Sequence, residues 1–214
     1  MILSRGRRYL FMHAPKTGGT SMALALEARA MKDDIMLGDT PKAVRRRKRM
    51  KNVQTAGRLW KHSTLADLDG LVTSDELADL FVFTMVRNPW DRMVSYYSWL
   101  KEQSFDHVAV HKAKSLDFED FVAAPEIATS FANASATSYV TDAAGLMRAQ
   151  LFIRLENLAA DIAPLEAHLG FSLDIPHVNR SARVADYRAA YSKASAARVA
   201  WMHAEDIAKF DYTF

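Results

Sequence analysis

Twice in this chain a short apolar run breaks into a tight turn and continues at once with helical spacing. That pattern constrains the fold more than any other feature of the sequence. Arg8–His13 (RYLFMH) runs into Ala14-Pro15-Lys16-Thr17-Gly18-Gly19, and Thr20–Met31, rich in Ala, Leu and Met, follows as a helix. Phe81–Val86 (FVFTMV) is aromatic and β-branched, apolar on both faces, and reads as a buried strand. It leads into Arg87-Asn88-Pro89-Trp90-Asp91, where Asn88 suits an N-cap, Pro89 the first helical position and Asp91 the first turn. Met93, Val94, Tyr97 and Leu100 then recur at helical spacing. Gln150–Leu155 is a third strand candidate. Strands apolar on both faces, alternating with helices, predict a three-layer α/β fold with a central parallel sheet. Ligands of such sheets sit outside the carboxyl ends of the strands.

The remaining elements are less sharply marked. Thr73 and Glu76 have capping-box spacing ahead of a short helix. Asp117–Ala123 and Asn157–Leu169 read as helical; Gly170 closes the second, and Pro164 inside it predicts a kink or two short helices. Ser192–Lys209 is a last helical stretch before the aromatic tail Phe210–Phe214, and Gly38–Gly57 is expected to be the longest loop. At 214 residues, half of them apolar, the chain can bury a full core as one domain, 1–214. It has no cysteine, which excludes disulfides, thiolate metal sites and cysteine nucleophiles and suits a reducing cytoplasm. The apolar stretch Tyr9–Ala14 is too short for a signal peptide or anchor, and no span reaches membrane length.

The net charge of +3 is unevenly spread. Arg45, Arg46, Arg47, Lys48, Arg49 and Lys51 form one dense run, with Lys42 and Arg58 nearby. A solvated loop and an electrostatic lure for an anionic partner both fit it. No aromatic residues interleave the run, which weighs against nucleic acid.

Both strand–turn–helix units carry anion chemistry. In the first, Gly18 and Gly19 let the backbone turn its N–H groups inward, and the helix N-terminus adds donors and a positive dipole. Thr17, Thr20 and Ser21 supply hydroxyls and Lys16 a charge, which makes a P-loop-like phosphate-binding strand–loop–helix. The lysine precedes the glycines, so this is not the ordinary nucleotide loop. In the second, Arg87 stands at the carboxyl end of a strand, where a guanidinium can grip a phosphate bidentately, and Ser95 lies on the following helix. A structural salt bridge for Arg87 and a buried helix contact for Ser95 are the plain alternatives.

Taken together, the two segments resemble those of the PAPS-dependent sulfotransferases, which use 3′-phosphoadenosine-5′-phosphosulfate (PAPS), especially the branch acting on carbohydrates and its bacterial members. Phe152–Leu158 (FIRLENL), His177–Ser181 and the tail Phe210–Phe214 extend the resemblance; Met31–Lys61 and Gln103–Ala149 lie outside it. It implies that Lys16 steadies the bridging oxygen as sulfate leaves, with Thr17, Gly18, Gly19, Thr20 and Ser21 around the 5′-phosphate. Arg87 and Ser95 would hold the 3′-phosphate. PAPS would be the co-substrate, with no metal required. His62, in Trp60-Lys61-His62-Ser63-Thr64, lies between the two motifs where the resembling family often places a histidine, and is the candidate general base. A capping-region histidine is the plain alternative. His13 is expected near the pocket. His107 and His111 have metal-ligand spacing but no apparent third ligand, and Arg154, Glu156, Asn179, Arg180 and Arg183 are second-rank donor or salt-bridge candidates.

The expected activity is therefore transfer of a sulfuryl group from PAPS to an acceptor hydroxyl or amine. An anionic acceptor such as a uronic-acid glycan fits the basic run, while lipids and small metabolites stay open. A phosphotransferase would want Mg²⁺ and an acidic ligand at a strand end, where this chain has Arg87. A non-catalytic protein that binds a nucleotide or nucleic acid is the competing reading from outside enzymes. Oligomeric state is not legible in the sequence.

Overall fold

The computed structural model describes residues 1–176 and 186–214. They fall into two compact units, Met1–Val86 with the stretch from Ala136, and Arg87–Ser135 with the C-terminal stretch.

The first unit holds a five-stranded sheet of β1 (Ile2–Ser4), β2 (Tyr9–Met12), β3 (Ile35–Met36), β4 (Phe81–Val86) and β5 (Leu151–Arg154), in the order β3-β1-β2-β4-β5. β2, β4 and β5 are the three strands expected from sequence, and they run parallel, with Leu10 opposite Val82 and Thr84 opposite Phe152. β1 pairs antiparallel with both β2 and β3, so the sheet is mixed and mostly parallel. Strands of three and two residues are too short to carry a readable period, and only their pairing partners define them.

Alternation along the strands builds two apolar faces. Ile2, Tyr9, Phe11, Phe83, Met85 and Ile153 point to one, packed with Met22, Ala23 and Leu26 of the helix Gly19–Ala28 and Leu165 of the helix Ala163–Leu169. Leu3, Leu10, Met12 and Val82 point to the other, against Leu65, Leu68, Leu77 and Leu80. Helical segments cover both faces, which makes three layers. Phe83 is fully buried at the centre, and its truncation to alanine would cost about 3–5 kcal/mol.

Local signals held at most helix ends. Thr73 accepts from the N–H of Glu76 and starts the helix Ser74–Asp79. Pro164 marks two short helices, Leu158–Asp161 and Ala163–Leu169, and Gly170 closes the second at φ 75°. The expected loop Gly38–Gly57 contains more order than its composition implied. Pro41–Arg46 is a helix and Arg47–Met50 a 3₁₀ turn. Buried Glu27 pins their start, accepting from the Thr40 hydroxyl and, at 3.0 Å, from the Lys42 N–H. That contact joins residues 13 to 15 positions apart, which composition does not register.

The second unit is helical: Pro89–Lys101, Val108–Ser115, Phe118–Ala123, Pro125–Ala132, Lys193–Met202 and Ala204–Phe210. Asn88 caps the first of these, accepting from the N–H groups of Trp90 and Asp91 as its position predicted. Ser192 caps the fifth in a reciprocal box with Ser195, and the expected single stretch 192–209 breaks at His203. Trp90, Met93, Leu100, Val110, Phe121, Phe131, Val199 and Met202 form its core. No helix among the described residues is long and apolar enough to cross a membrane.

Candidate functional site

The loop that leaves β2 is built on two residues in the left-handed region, Lys16 at φ 62° and Gly18 at φ 83°. A lysine there bears strain that glycine does not, so the neighbouring contacts must hold it. One of them is Thr17, nearly fully buried, whose hydroxyl donates to the Ala14 carbonyl at 2.9 Å. Its hydroxyl proton thus fastens the loop, while Thr20 and Ser21 stay half-exposed. Gly18 is the helix N-cap, and its carbonyl receives the N–H groups of Ser21 and Met22 at 3.1 and 3.4 Å. Gly19 and Thr20 open the helix, where no preceding turn supplies carbonyls for their N–H groups. Such a terminus attracts an anion by dipole and by directed donors. Sterics favour glycine at 19, and the positive φ favours it at 18. A Cβ on Gly19 would sit 2.2 Å from the His13 ring, and one on Gly18 would sit 2.7 Å from Leu155.

His13 ties this loop to His62. The His62 Nδ1 lies 2.7 Å from the His13 carbonyl, and the two rings meet edge to face with centroids 4.7 Å apart. A carbonyl only accepts, so Nδ1 carries the proton and the neutral ring keeps its lone pair on Nε2. Burial pushes the His62 pKa down to about 4, helped by the charge of Lys61 and opposed by the hydrogen bond to His13. The imidazole is therefore neutral near pH 7, as a proton acceptor must be. Burial also pushes His13 well below the ordinary histidine value. The structure thus brings His62 and the Lys16–Ser21 loop together through one residue, which sequence reading had placed only as a pocket neighbour.

Arg87 and Ser95 belong to the second unit. Arg87 follows the last residue of β4 directly in the chain. Its Nε and a terminal nitrogen both meet Asp91 Oδ2, at 2.8 and 2.7 Å, so the ion pair raised as the plain alternative exists and fixes the guanidinium. Ser95 is buried on the helix Pro89–Lys101.

Arg154 is held structurally, with Nε and a terminal nitrogen on the two Asp161 oxygens at 2.7 and 2.9 Å. Those bonds hold the Asp161 carboxyl down at about 2. Glu156 is exposed, and Asn179, Arg180 and Arg183 lie outside the described residues. His107 caps the helix Val108–Ser115, and His111 pairs with Asp106 at 3.1 Å, so their spacing serves the surface. Among the described residues no group of three or more His, Asp or Glu is placed to hold a metal. The basic run divides: Arg46 donates to the carbonyls of Met31 and Asp34 and Arg49 to that of Lys32, while Arg45, Lys48 and Lys51 face solvent. Sequence reading counted Arg58 only with the basic run and Trp60 only as a neighbour of His62; in the structure the Arg58 guanidinium sits over the Trp60 ring, which meets the His62 ring edge to face.

No curated protein matches the chain. Among solved structures it aligns with mouse sulfotransferase SULT7A1 complexed with PAP (3′-phosphoadenosine-5′-phosphate) at 15% identity and a TM-score of 0.38. The alignment covers 91% of this chain and 63% of that one, so the chain spans less than two thirds of that protein. The model of the sulfotransferase family matches residues 1–208. With nearly its whole length matched, the chain belongs to the sulfotransferase family.

Proposed function

We propose that this protein transfers a sulfuryl group from PAPS to an acceptor hydroxyl or amine, with 1–214 acting as one functional domain in the cytoplasm. The observation that carries the reading is the contact chain from the phosphate loop at Lys16–Ser21 through His13 to the neutral His62. Family membership adds to it, and the absence of cysteine fits a reducing compartment.

The acceptor oxygen attacks sulfur as the bond from sulfur to the bridging oxygen of the 5′-phosphate breaks. The acceptor's proton passes to His62 Nε2, and the bridging oxygen leaves with PAP. Negative charge grows on that oxygen in the transition state, so Lys16 and the N–H groups of Gly18, Gly19 and Thr20 lower the barrier where it rises. Thr20 and Ser21 hydroxyls complete the 5′-phosphate cradle, with Thr17 holding its shape. By family resemblance Arg87 and Ser95 take the 3′-phosphate, Arg87 pre-aimed by Asp91. A carbohydrate or other anionic acceptor fits the exposed cations at Arg45, Lys48 and Lys51. Transfer from labelled PAPS across an acceptor panel, with and without Mg²⁺, tests the reading. Metal-independent transfer is expected; a strict Mg²⁺ requirement with a nucleoside triphosphate donor would favour a phosphotransferase.

A further inference from the structure

Trp60 stands against His62 and Arg58 against Trp60, and the transfer step gives neither a role. Trp60 is 43% exposed, although so large an apolar ring is ordinarily well covered. Its centroid lies 5.0 Å from that of His62 at 90°, and the Arg58 guanidinium carbon sits 5.7 Å from the indole centroid. A cation at that range is drawn to the ring face. Among the described residues, no carboxylate pairs with Arg58.

The exposure of Trp60 does not come from a loose loop. Ser63 is fully buried, and its hydroxyl accepts from the Trp60 N–H at 2.9 Å and donates to the Arg58 carbonyl at 2.8 Å. Upstream, the N–H groups of Ala56 and Gly57 donate to the carbonyls of Asp69 and Asp67 at 2.9 and 3.2 Å. The main chain of both residues is therefore set before any ligand arrives, which lowers the ordering cost of binding.

We infer that Arg58 and Trp60 form the acceptor subsite and select an acidic sugar ring. A pyranose offers an apolar C–H face that can lie on an indole, and its carboxylate or ester sulfate matches the guanidinium fork. A neutral ring would leave the cation unused, and a small free anion would leave the indole bare. The exposed Arg45, Lys48 and Lys51 of the same unit add an attractive field for a polyanionic chain. The inference rests on His62 as the proton acceptor, because contact with that ring is what puts the platform at the reacting hydroxyl.

The test is calorimetric titration of the full chain, with PAP present, using two hexasaccharide probes. One alternates glucuronate with N-acetylglucosamine; the other contains N-acetylglucosamine alone. The wild type is expected to prefer the acidic probe. Trp60→Ala should weaken its binding about tenfold or more, as loss of an aromatic anchor does, and Trp60→Phe should restore most of it. Arg58→Gln should narrow the acidic preference about two- to fivefold, the worth of an exposed charge pair. Equal binding of both probes by the wild type, or unchanged binding by Trp60→Ala, overturns the inference. Sulfate transfer is measured in parallel: the expected binding pattern without any transfer keeps the subsite and sinks the transferase reading instead.

Discussion

The Nδ1 of His62 donates to the main-chain oxygen of His13 at 2.7 Å, and the ring of that same His13 lies against Gly19, the first residue of the helix that follows the β2 loop. One residue therefore sets the tautomer of the proposed base and packs the floor of the proposed donor site. His62→Ala should cut turnover about 10²–10⁴-fold with PAP affinity unchanged in equilibrium binding. Near-normal turnover in the variant would place the base elsewhere.

The pH dependence follows from the same burial. His62 must be neutral to accept a proton, and its pKa is pushed down to about 4. The acid limb of kcat should therefore lie near 4 instead of at the ordinary histidine value of 6.5. A limb at 6.5 in a pH–rate series would show that the working base is solvated and is not this ring.

Stability should move with pH in the same direction. A histidine whose folded pKa is depressed contributes fully above its unfolded value of 6.5 and loses that contribution as pH falls toward its folded value. His203 adds to this loss. It is buried against the Phe131 ring, its Nδ1 lies 3.8 Å from Asp206 Oδ2, and burial pushes its pKa down with Arg92 nearby. Chemical denaturation between pH 7 and 4.5 should show falling stability, with a shallower slope for His203→Phe.

Gly19→Ala should fail at the proposed donor site by geometry. The new Cβ would lie 2.2 Å from the His13 ring, and forcing extra volume into packed surroundings costs about 1–3 kcal/mol. Thermal melting should fall and PAP binding should weaken together. Lys16→Ala should instead leave melting near the wild type and weaken PAP by about 1.5–3 kcal/mol.

The basic run should divide in mutagenesis as it does in the fold. Arg46→Ala removes donors from the Met31 and Asp34 carbonyls and should cost about 1 kcal/mol of stability. Neutralising Arg45, Lys48 and Lys51 together should leave melting unchanged and flatten the salt dependence of acceptor capture. Loss of stability in the triple variant would assign these residues to the fold.

The sequence by itself determined whatever depends on near neighbours along the chain. The parallel strands β2, β4 and β5 are legible because each is a run of apolar residues long enough to show on both faces. The caps at Asn88 and Thr73 are legible because a capping side chain reaches only two or three residues ahead. The proposed phosphate loop is a candidate from sequence because its glycines, lysine and hydroxyls are contiguous. Tertiary structure decided what depends on partners far apart in the chain. β1 and β3 exist only as pairing partners, and the helix at Pro41 is pinned by Glu27. Arg87–Asp91 and Arg154–Asp161 are local pairs that the sequence left open beside an anion contact, and the folded backbone decided them by bringing each carboxylate within reach of its guanidinium. The contact of His62 with His13 spans 49 residues. No local pattern encodes that separation; it follows from the packing that turns the residues around His62 back onto the end of β2.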